Sequence, residues 1–299
     1  MLAPPPIDED TLSLIRRAVR EDVGSGDLTV QLSIPSEHGS TANIVARQEG
    51  VLSGAYLLAA ILREYSAGLS SEIITPDGSL LKVDQVVARI SGPTRALLSA
   101  ERVCLNFLSH LSGIATLTRR YVEAVGGVAG PPAICDTRKT TPGYRVLDKY
   151  AVRCGGGTNH RMGLYDGVML KDNHLAALRE ELGGQRSLGQ LTAHVRAQLV
   201  AGMMMWLEVD TLEQLRAALP GGGADVILLD NFTPELMRQA VVIRDEHAAG
   251  QEPVRPLLEA SGGITLANIG AIAATGVERI SIGALTHSAP ILDLSMELA

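Results

Sequence analysis

The sequence predicts an α/β protein in which a mixed α/β unit precedes an incomplete α/β barrel. Three observations lead there. From about residue 128, six short apolar runs (133–137, 167–171, 206–210, 225–230, 257–261 and 279–284) alternate with helical stretches or loops, the signature of parallel βα units. The runs are nearly continuous in hydrophobicity, as strands buried on both faces must be. Nearly every run also ends in a polar group: Asp136/Arg138/Lys139, Lys171/Asp172, Glu208/Asp210, Asp230, Glu259/Ser261 and Gly283. In a barrel such strand ends converge on one mouth, where chemistry is done. Six strands are two short of a closed eight-stranded ring, so the barrel is open or hides a strand. An open doubly wound sheet is the competing architecture.

The first third is organised differently. Leu12, Ile15 and Val19 recur at helical spacing within 8–21, and Gly24 and Gly26 end that helix. Segments 41–54 and 71–91 alternate as strands do, with Asp77-Gly78 as a hairpin-type turn, and a helix is expected over 55–67 between them. After Pro93 a long amphipathic helix, about 95–125, carries Leu97, Leu98, Val103, Leu105, Leu108, Leu111, Ile114 and Leu117. In the second part, helices or loops are expected over 144–153, 175–201, 211–219, 234–247 and 265–275.

Composition narrows the function classes. A chain of 299 residues with a net charge of -7 lacks the broad positive surface that nucleic acid needs, and 3% aromatics leaves little for base stacking. The three cysteines have no CxxC spacing and read as reduced thiols, with a metal-thiolate site not expected. The N-terminus has neither a basic nor an apolar leader region, and no apolar run is long enough for a membrane span. The expected location is the cytoplasm. Against this acidic background, residues 135–174 hold seven Lys/Arg and four Asp. A basic island in an acidic chain points to a pocket for a small, highly charged anion.

Within the island, Arg138 and Lys139 follow a strand end, Arg161 follows His160 in a Gly-rich turn, and Lys171 ends the next strand. Arginine offers a planar fork for carboxylate or phosphate and lysine a compact charge. One such residue is ordinarily a solvated or structurally paired charge; four at the ends of adjacent βα units favour a ligand. Arg145, Lys149 and Arg153 sit at helical spacing and read as a solvated face. Gly155-Gly156-Gly157 is no dinucleotide fingerprint, and reads as a turn that brings His160 and Arg161 inward. Gly221-Gly222-Gly223 reads as a plain connection. Ser261-Gly262-Gly263 closes a strand ahead of a helix capped near Thr265, where backbone N–H groups and the helix dipole favour phosphate. The following strand end at Gly283-Ala284 supplies a second donor loop. Glu208 and Asp230 end neighbouring strands and suit Mg2+ on a phosphate-rich ligand, or a cationic sugar; helix capping or ion pairing are their ordinary roles. Asp210 is the better capping candidate.

At this point the residues resemble a family. The blocks EDVGSGDLT (21–29), ERVCLNFLSHLSGIAT (101–116), DTRKTTPGYRVLDKYAVRCGGGTNHRMGLYDGVMLKDNH (136–174), LEVDTLEQL (207–215), ILLDNFTPE (227–235), LEASGGI (258–264) and ISIGALTHSAPILDLSMEL (280–298) closely resemble quinolinate phosphoribosyltransferases. The resemblance implies an N-terminal α/β sandwich domain over 1–115, rejoined by a C-terminal tail at 289–299, and an open, seven-stranded α/β barrel over 116–288. It implies a homodimer or larger assembly with shared active sites. The carboxylates of quinolinate would meet Arg138, His160, Arg161 and Lys171, with Arg102 reaching in from another subunit, and Lys139 would serve both substrates beside Thr137. Glu208 and Asp230 would face the ribose and Mg2+ of phosphoribosyl pyrophosphate. The backbone of Ser261, Gly262 and Gly263 and of Ile282, Gly283 and Ala284 would take the 5-phosphate. The family often carries Glu-Val-Glu-Val-Asp on the third barrel strand, and here Trp206 stands in place of the first Glu.

The activity so implied joins quinolinate to phosphoribosyl pyrophosphate with loss of CO2, giving nicotinate mononucleotide for NAD synthesis. Glu208 and Asp230 would stabilise an oxocarbenium-like transition state. Lys139 or Lys171 would protonate the decarboxylated ring. Two alternatives stand beside this reading: a catalytically silent module that binds pyridine carboxylates or phosphoribosyl compounds, and a phosphoribosyltransferase that uses nicotinate without decarboxylation.

Overall fold

Local chemistry starts the N-terminal helices. The Asp8 carboxylate accepts from the Thr11 N–H at 2.9 Å and opens α1 (Glu9–Val23), which Gly24 ends at φ 54°. Asp27 likewise accepts from Val30 N–H at 3.2 Å and opens α2 (Leu28–Ser33). There follow β1 (Gly39–Ala46), β2 (Gly50–Val51), α3 (Leu58–Tyr65), β3 (Ser70–Ile73), β4 (Leu80–Leu81), β5 (Val86–Pro93) and α4 (Thr94–Val125). The chain continues through β6 (Ala133–Cys135), α5 (Arg145–Cys154), β7 (Val168–Leu170), α6 (Asp172–Glu181), α7 (Leu188–Arg196), β8 (Met205–Val209) and α8 (Leu212–Ala218). It ends with β9 (Val226–Asp230), α9 (Pro234–Gly250), β10 (Leu257–Ser261), α10 (Ile269–Ala273), β11 (Arg279–Ser281), α11 (Ala284–His287) and β12 (Leu294–Leu298). This computed structural model describes residues 2–184, 186–250 and 255–299. Among the described residues no helix is long and apolar enough to cross a membrane.

The chain divides into two compact units. The first comprises Met1–Arg119, Lys139–Gly157 and Ala284–Ala299. Its main sheet is antiparallel in the order β12-β1-β5-β3, so the last strand of the chain pairs with the first, Ala42 opposite Leu298. Ile44, Leu58, Ile61, Ile90, Leu97 and Leu108 are fully buried there. β2 and β4 pair separately, so the Asp77-Gly78 turn joins strands of two different sheets and is not a hairpin turn. Its positive-φ glycine is as expected, but the Asp77 side chain fixes the fold at longer range. One carboxylate oxygen accepts from Ala55 N–H at 2.9 Å, the other from the Tyr150 hydroxyl at 3.1 Å.

The second unit, Arg120–Arg138 with Thr158–Gly283, holds a six-stranded parallel sheet in the order β6-β11-β10-β9-β8-β7. From β7 to β11 each strand lies beside its predecessor, and β6 then closes on β11. A doubly wound sheet would reverse direction midway; this order winds one way, as a barrel does. The ring is open between β6 and β7. On the free side of β6 a single parallel bridge, Cys135 to Thr158, holds the place of the seventh strand.

Register fixes what faces inward. Partners across parallel strands share a face, which puts Arg279, Glu259, Leu228 and Glu208 in one layer and Trp206, Val226, Leu257 and Met169 in the layer below. Asp230 and Ser261, paired two residues further on, lie on the same face at the strand ends. The helical region expected over 175–201 is two helices, interrupted at Gly183 and Gly184, both at positive φ.

Candidate active site

The site starts from a buried acid. Asp136, one residue past β6, is fully buried, and its carboxylate accepts from the Asn159 amide at 2.6 Å and from His160 N–H at 2.8 Å. That pins 159–160 beside the strand. His160 Nδ1 then accepts from Arg161 N–H at 2.8 Å, and the Arg161 guanidinium donates through Nη1 to Gly167 O at 2.8 Å. Asp166 closes the intervening turn by accepting from Met162 and Gly163 N–H at 2.7 and 3.0 Å.

Arg161 is thereby held half-buried at both its backbone and its head group. Burial, and next the charge of Arg138, pull its guanidinium below the usual arginine range. Two arginines that feel one another's charge in a partly desolvated place are a cost unless an anion answers them. The buried Nε of Arg138 has no hydrogen-bond partner among the described residues. Together these features describe a receptor for a multiply charged anion.

At the neighbouring strand ends, Lys171 Nζ is in very short contact with Glu208 Oε2. Asp230 is half-buried at the end of β9 and accepts from the Asn231 side chain at 2.8 Å. Asn231 in turn donates its N–H to Ser261 O at 2.9 Å, tying β9 to the glycine loop after β10. Gly262 and Gly263 sit at φ 92° and 61°, and a Cβ on Gly262 would lie 2.1 Å from Asn231 Oδ1. Only glycine fits that approach. The helix does not begin at Thr265: a turn held by Thr265 O and the Asn268 side chain intervenes, and α10 starts at Ile269. A five-residue helix starting that far downstream puts no dipole behind the loop, so the loop's donors are its own N–H groups. Ile282 N–H is engaged with Cys135 O at 2.9 Å, which ties β11 to β6 and removes it as a phosphate donor.

Two expectations were wrong, and the glycine triplets do more than turn the chain. Lys149 is not on a solvated face; it is 1% exposed, while Arg153 of the same helix is exposed. Thr211, not Asp210, caps α8 by accepting from Gln214 N–H at 3.2 Å. The second glycine triplet is more than a connection, because a Cβ at Gly221 would lie 2.0 Å from Gly189 O, which forces α7 and the 219–221 turn into close contact. The first triplet also has a packing role: a Cβ at Gly155 would meet Ala115 O at 2.3 Å.

Thr137, Arg138, His160, Arg161, Lys171, Glu208, Asp230 and the loops at 261–263 and 282–283 belong to the barrel unit; Arg102, Lys139 and Ala284 belong to the other. Arg102 projects from α4 with its side chain 63% exposed. Lys139 is exposed, and its carbonyl accepts from the Thr286 hydroxyl at 2.8 Å. Its loop is fastened by Asp148, which accepts from Thr141 N–H at 3.2 Å and contacts His110 Nε2 at 2.9 Å.

Sequence reasoning missed a buried cluster beneath these groups. Glu259 is fully buried; Arg279 Nε donates to it at 2.8 Å, Trp206 Nε1 at 3.4 Å, and His160 Nε2 stands 3.5 Å away. The signal was available: a carboxylate inside an apolar strand needs a cation, and Arg279 opens the next strand in the sheet.

An inward-facing ring of parallel strands with arginine forks, a lysine–glutamate pair and a glycine loop at its C-terminal ends defines an α/β-barrel enzyme for small, multiply charged anions. Comparison with known proteins makes this specific. The quinolinate phosphoribosyl transferase N-terminal domain matches residues 27–112 and the C-terminal domain of the same name matches residues 114–297. The chain belongs to the quinolinate phosphoribosyltransferase family. It is 44% identical over 285 residues to the probable nicotinate-nucleotide pyrophosphorylase [carboxylating] of Bacillus subtilis, covering 95% of this chain and 92% of that one. It is 40% identical over 287 residues to the Mycobacterium leprae enzyme named nicotinate-nucleotide pyrophosphorylase [carboxylating], covering 95% of each. The crystal structure of NadC from Streptococcus pyogenes superposes with a TM-score of 0.86 at 37% identity, over 99% of this chain and 98% of that one.

Proposed function

We propose that this chain transfers the phosphoribosyl group of phosphoribosyl pyrophosphate to the ring nitrogen of quinolinate and releases CO2, giving nicotinate mononucleotide. The observation that carries the reading is the Arg138–Arg161 pair, two half-buried guanidiniums of which Arg161 feels both burial and the charge of Arg138, with Lys171 at the next strand end. A dianion with adjacent carboxylates answers that charge; nicotinate, with one carboxylate, leaves a cation over.

In the reaction the quinolinate nitrogen forms a bond to C1 of the ribose as the C1–O bond to pyrophosphate breaks, and positive charge develops on the sugar. Glu208 and Asp230, on one face of adjacent strands, stabilise that charge. The 2-carboxylate then leaves as CO2, its electron pair stays on the ring carbon beside the cationic nitrogen, and a lysine ammonium, Lys139 or Lys171, gives the proton. A cation that is held mainly by pyrophosphate takes one or two carboxylates from the protein. Mg2+ bound there would neutralise the leaving group, with Glu208 and Asp230 as its protein ligands.

The Ser261–Gly263 loop and the Gly283–Ala284 turn take the 5-phosphate, with Ile282 ordering the second by its bond to Cys135. Thr137 and Lys139 complete the substrate contacts, and His160 serves the site by holding the Arg161 N–H. Arg102 comes from a second copy in a homodimer or larger assembly, whose N-terminal sandwich domain completes the barrel of its neighbour. The three cysteines are buried and none forms a disulfide among the described residues, as suits a reducing cytoplasm. The test is product analysis with purified protein, Mg2+ and phosphoribosyl pyrophosphate. Quinolinate should yield nicotinate mononucleotide and CO2 in equal amounts, nicotinate should not react, and Arg161→Ala and Lys171→Ala should lose turnover while keeping the circular dichroism of the parent. Equal turnover of nicotinate, or parental turnover in either variant, refutes the reading.

A further inference from the structure

We propose that Trp206 is a positioning residue for Arg161: a single indole supports both of the groups that fix this guanidinium. The inference rests on the reading above that Arg161 receives a carboxylate of quinolinate.

Trp206 stands on the inward face of β8, in register with Met169 and Val226, and is 5% exposed. Its ring lies on the His160 ring, centroids 4.5 Å apart and planes tilted by 32°. Its edge lies against Gly167, where an added Cβ would come within 2.8 Å of Trp206 Cζ3. Those are the two anchors of Arg161. His160 Nδ1 holds its backbone N–H, and Gly167 O holds Nη1. The indole N–H turns the other way, to Glu259 Oε2 at 3.4 Å, and Arg279 balances that buried carboxylate from the neighbouring strand.

The tautomer follows from the same bonds. With Nδ1 accepting from a backbone N–H, a neutral His160 carries its proton on Nε2, which faces Glu259 Oε1 at 3.5 Å. Both ring nitrogens are thus directed at the scaffold, and the ring face at the indole. His160 therefore acts on the anion through Arg161. The support matters because the charge of Arg138 drives Arg161 away and burial penalises it. Without a rigid floor the guanidinium gains by swinging toward water. A displacement of about 1 Å at such a contact lowers rate by up to about 100-fold. Trp206 also requires glycine at 167, so these two positions form one unit.

The experiment compares Trp206→Phe, Trp206→Glu and Gly167→Ala with the parent and with Arg161→Ala, in the intact enzyme. KM is read separately for quinolinate and for phosphoribosyl pyrophosphate, with the thermal midpoint recorded for each protein. Trp206→Phe keeps a ring under His160 and serves if the other variants fold poorly. The expected result is a rise in quinolinate KM of about 10- to 100-fold in Trp206→Glu and Gly167→Ala, smaller in Trp206→Phe, with KM for phosphoribosyl pyrophosphate changed by no more than about twofold. Equal rises in both KM values, or a fall in thermal midpoint with no change in quinolinate KM, would overturn the assignment while Arg161→Ala still raises quinolinate KM. If Arg161→Ala itself leaves quinolinate KM unchanged, the reading of the site falls and this inference falls with it.

Discussion

Replacing Arg161 by lysine keeps the charge and removes the fork, which isolates what the geometry contributes. In the parent, Nη1 is committed to Gly167 O at 2.8 Å, so the rest of the guanidinium is aimed and free to meet a carboxylate edge-on. An ammonium on a flexible stem cannot hold Gly167 and offer a planar pair of donors together. The loss is at least one hydrogen bond to a charged group, about 1.5–3 kcal/mol. Each 1.36 kcal/mol is a factor of ten, so kcat/KM for quinolinate should fall roughly 10- to 150-fold. The repulsion from Arg138 persists in the variant, so relief of that term cannot mask the effect. The assay is initial-rate formation of nicotinate mononucleotide at saturating phosphoribosyl pyrophosphate and varied quinolinate. A decrease under about threefold would mean that Arg161 acts as a bare charge, and the bidentate reading would be refuted.

Two further predictions concern the scaffold. Gly262→Ala places a Cβ 2.1 Å from Asn231 Oδ1 at a φ of 92°, so it should raise KM for phosphoribosyl pyrophosphate and lower stability by about 1–3 kcal/mol; parental values in both measurements would show that the loop is not the cradle. Burial raises the Asp77 carboxyl above its ordinary value despite bonds from Ala55 and Tyr150. A raised folded-state pKa gives stability that is complete below about pH 4 and is lost as pH rises through the folded value. Asp77→Asn should therefore gain relative to the parent as pH rises above about 4, read as the difference in urea midpoints; a difference that stays constant with pH would contradict this.

Much of this was legible before the coordinates. The six barrel strands fall where apolar runs end in polar residues, because a parallel strand buried on both faces leaves no other pattern. The cations of the basic island were found because their types are improbable in such an acidic chain. What escaped detection depends on tertiary register. Lys149 looked solvated because helical spacing says nothing of what packs against a face, and it is buried. Asp77-Gly78 has the residues of a hairpin, yet whether flanking strands pair with each other is decided at long range. Glu259 called for a cation, but that Arg279 supplies it is decided by the β10–β11 register. Thr265 and Asp210 failed as caps by a few residues, the scale at which side-chain competition sets helix ends.

Both sheets close on late strands. β6 finds its strand partner in β11, Ala133 against Arg279, and β1 finds one of its two partners in β12. On the ribosome these early strands emerge with an unpaired edge long before the residues that cover it exist. Neither sheet can finish until β11 and β12 have been made, so the early strands wait on late ones. The chain's vulnerable period is set by elongation time, at about 5–20 residues per second. Without β12 one edge of β1 would stay open, an unpaired template on which another chain can add.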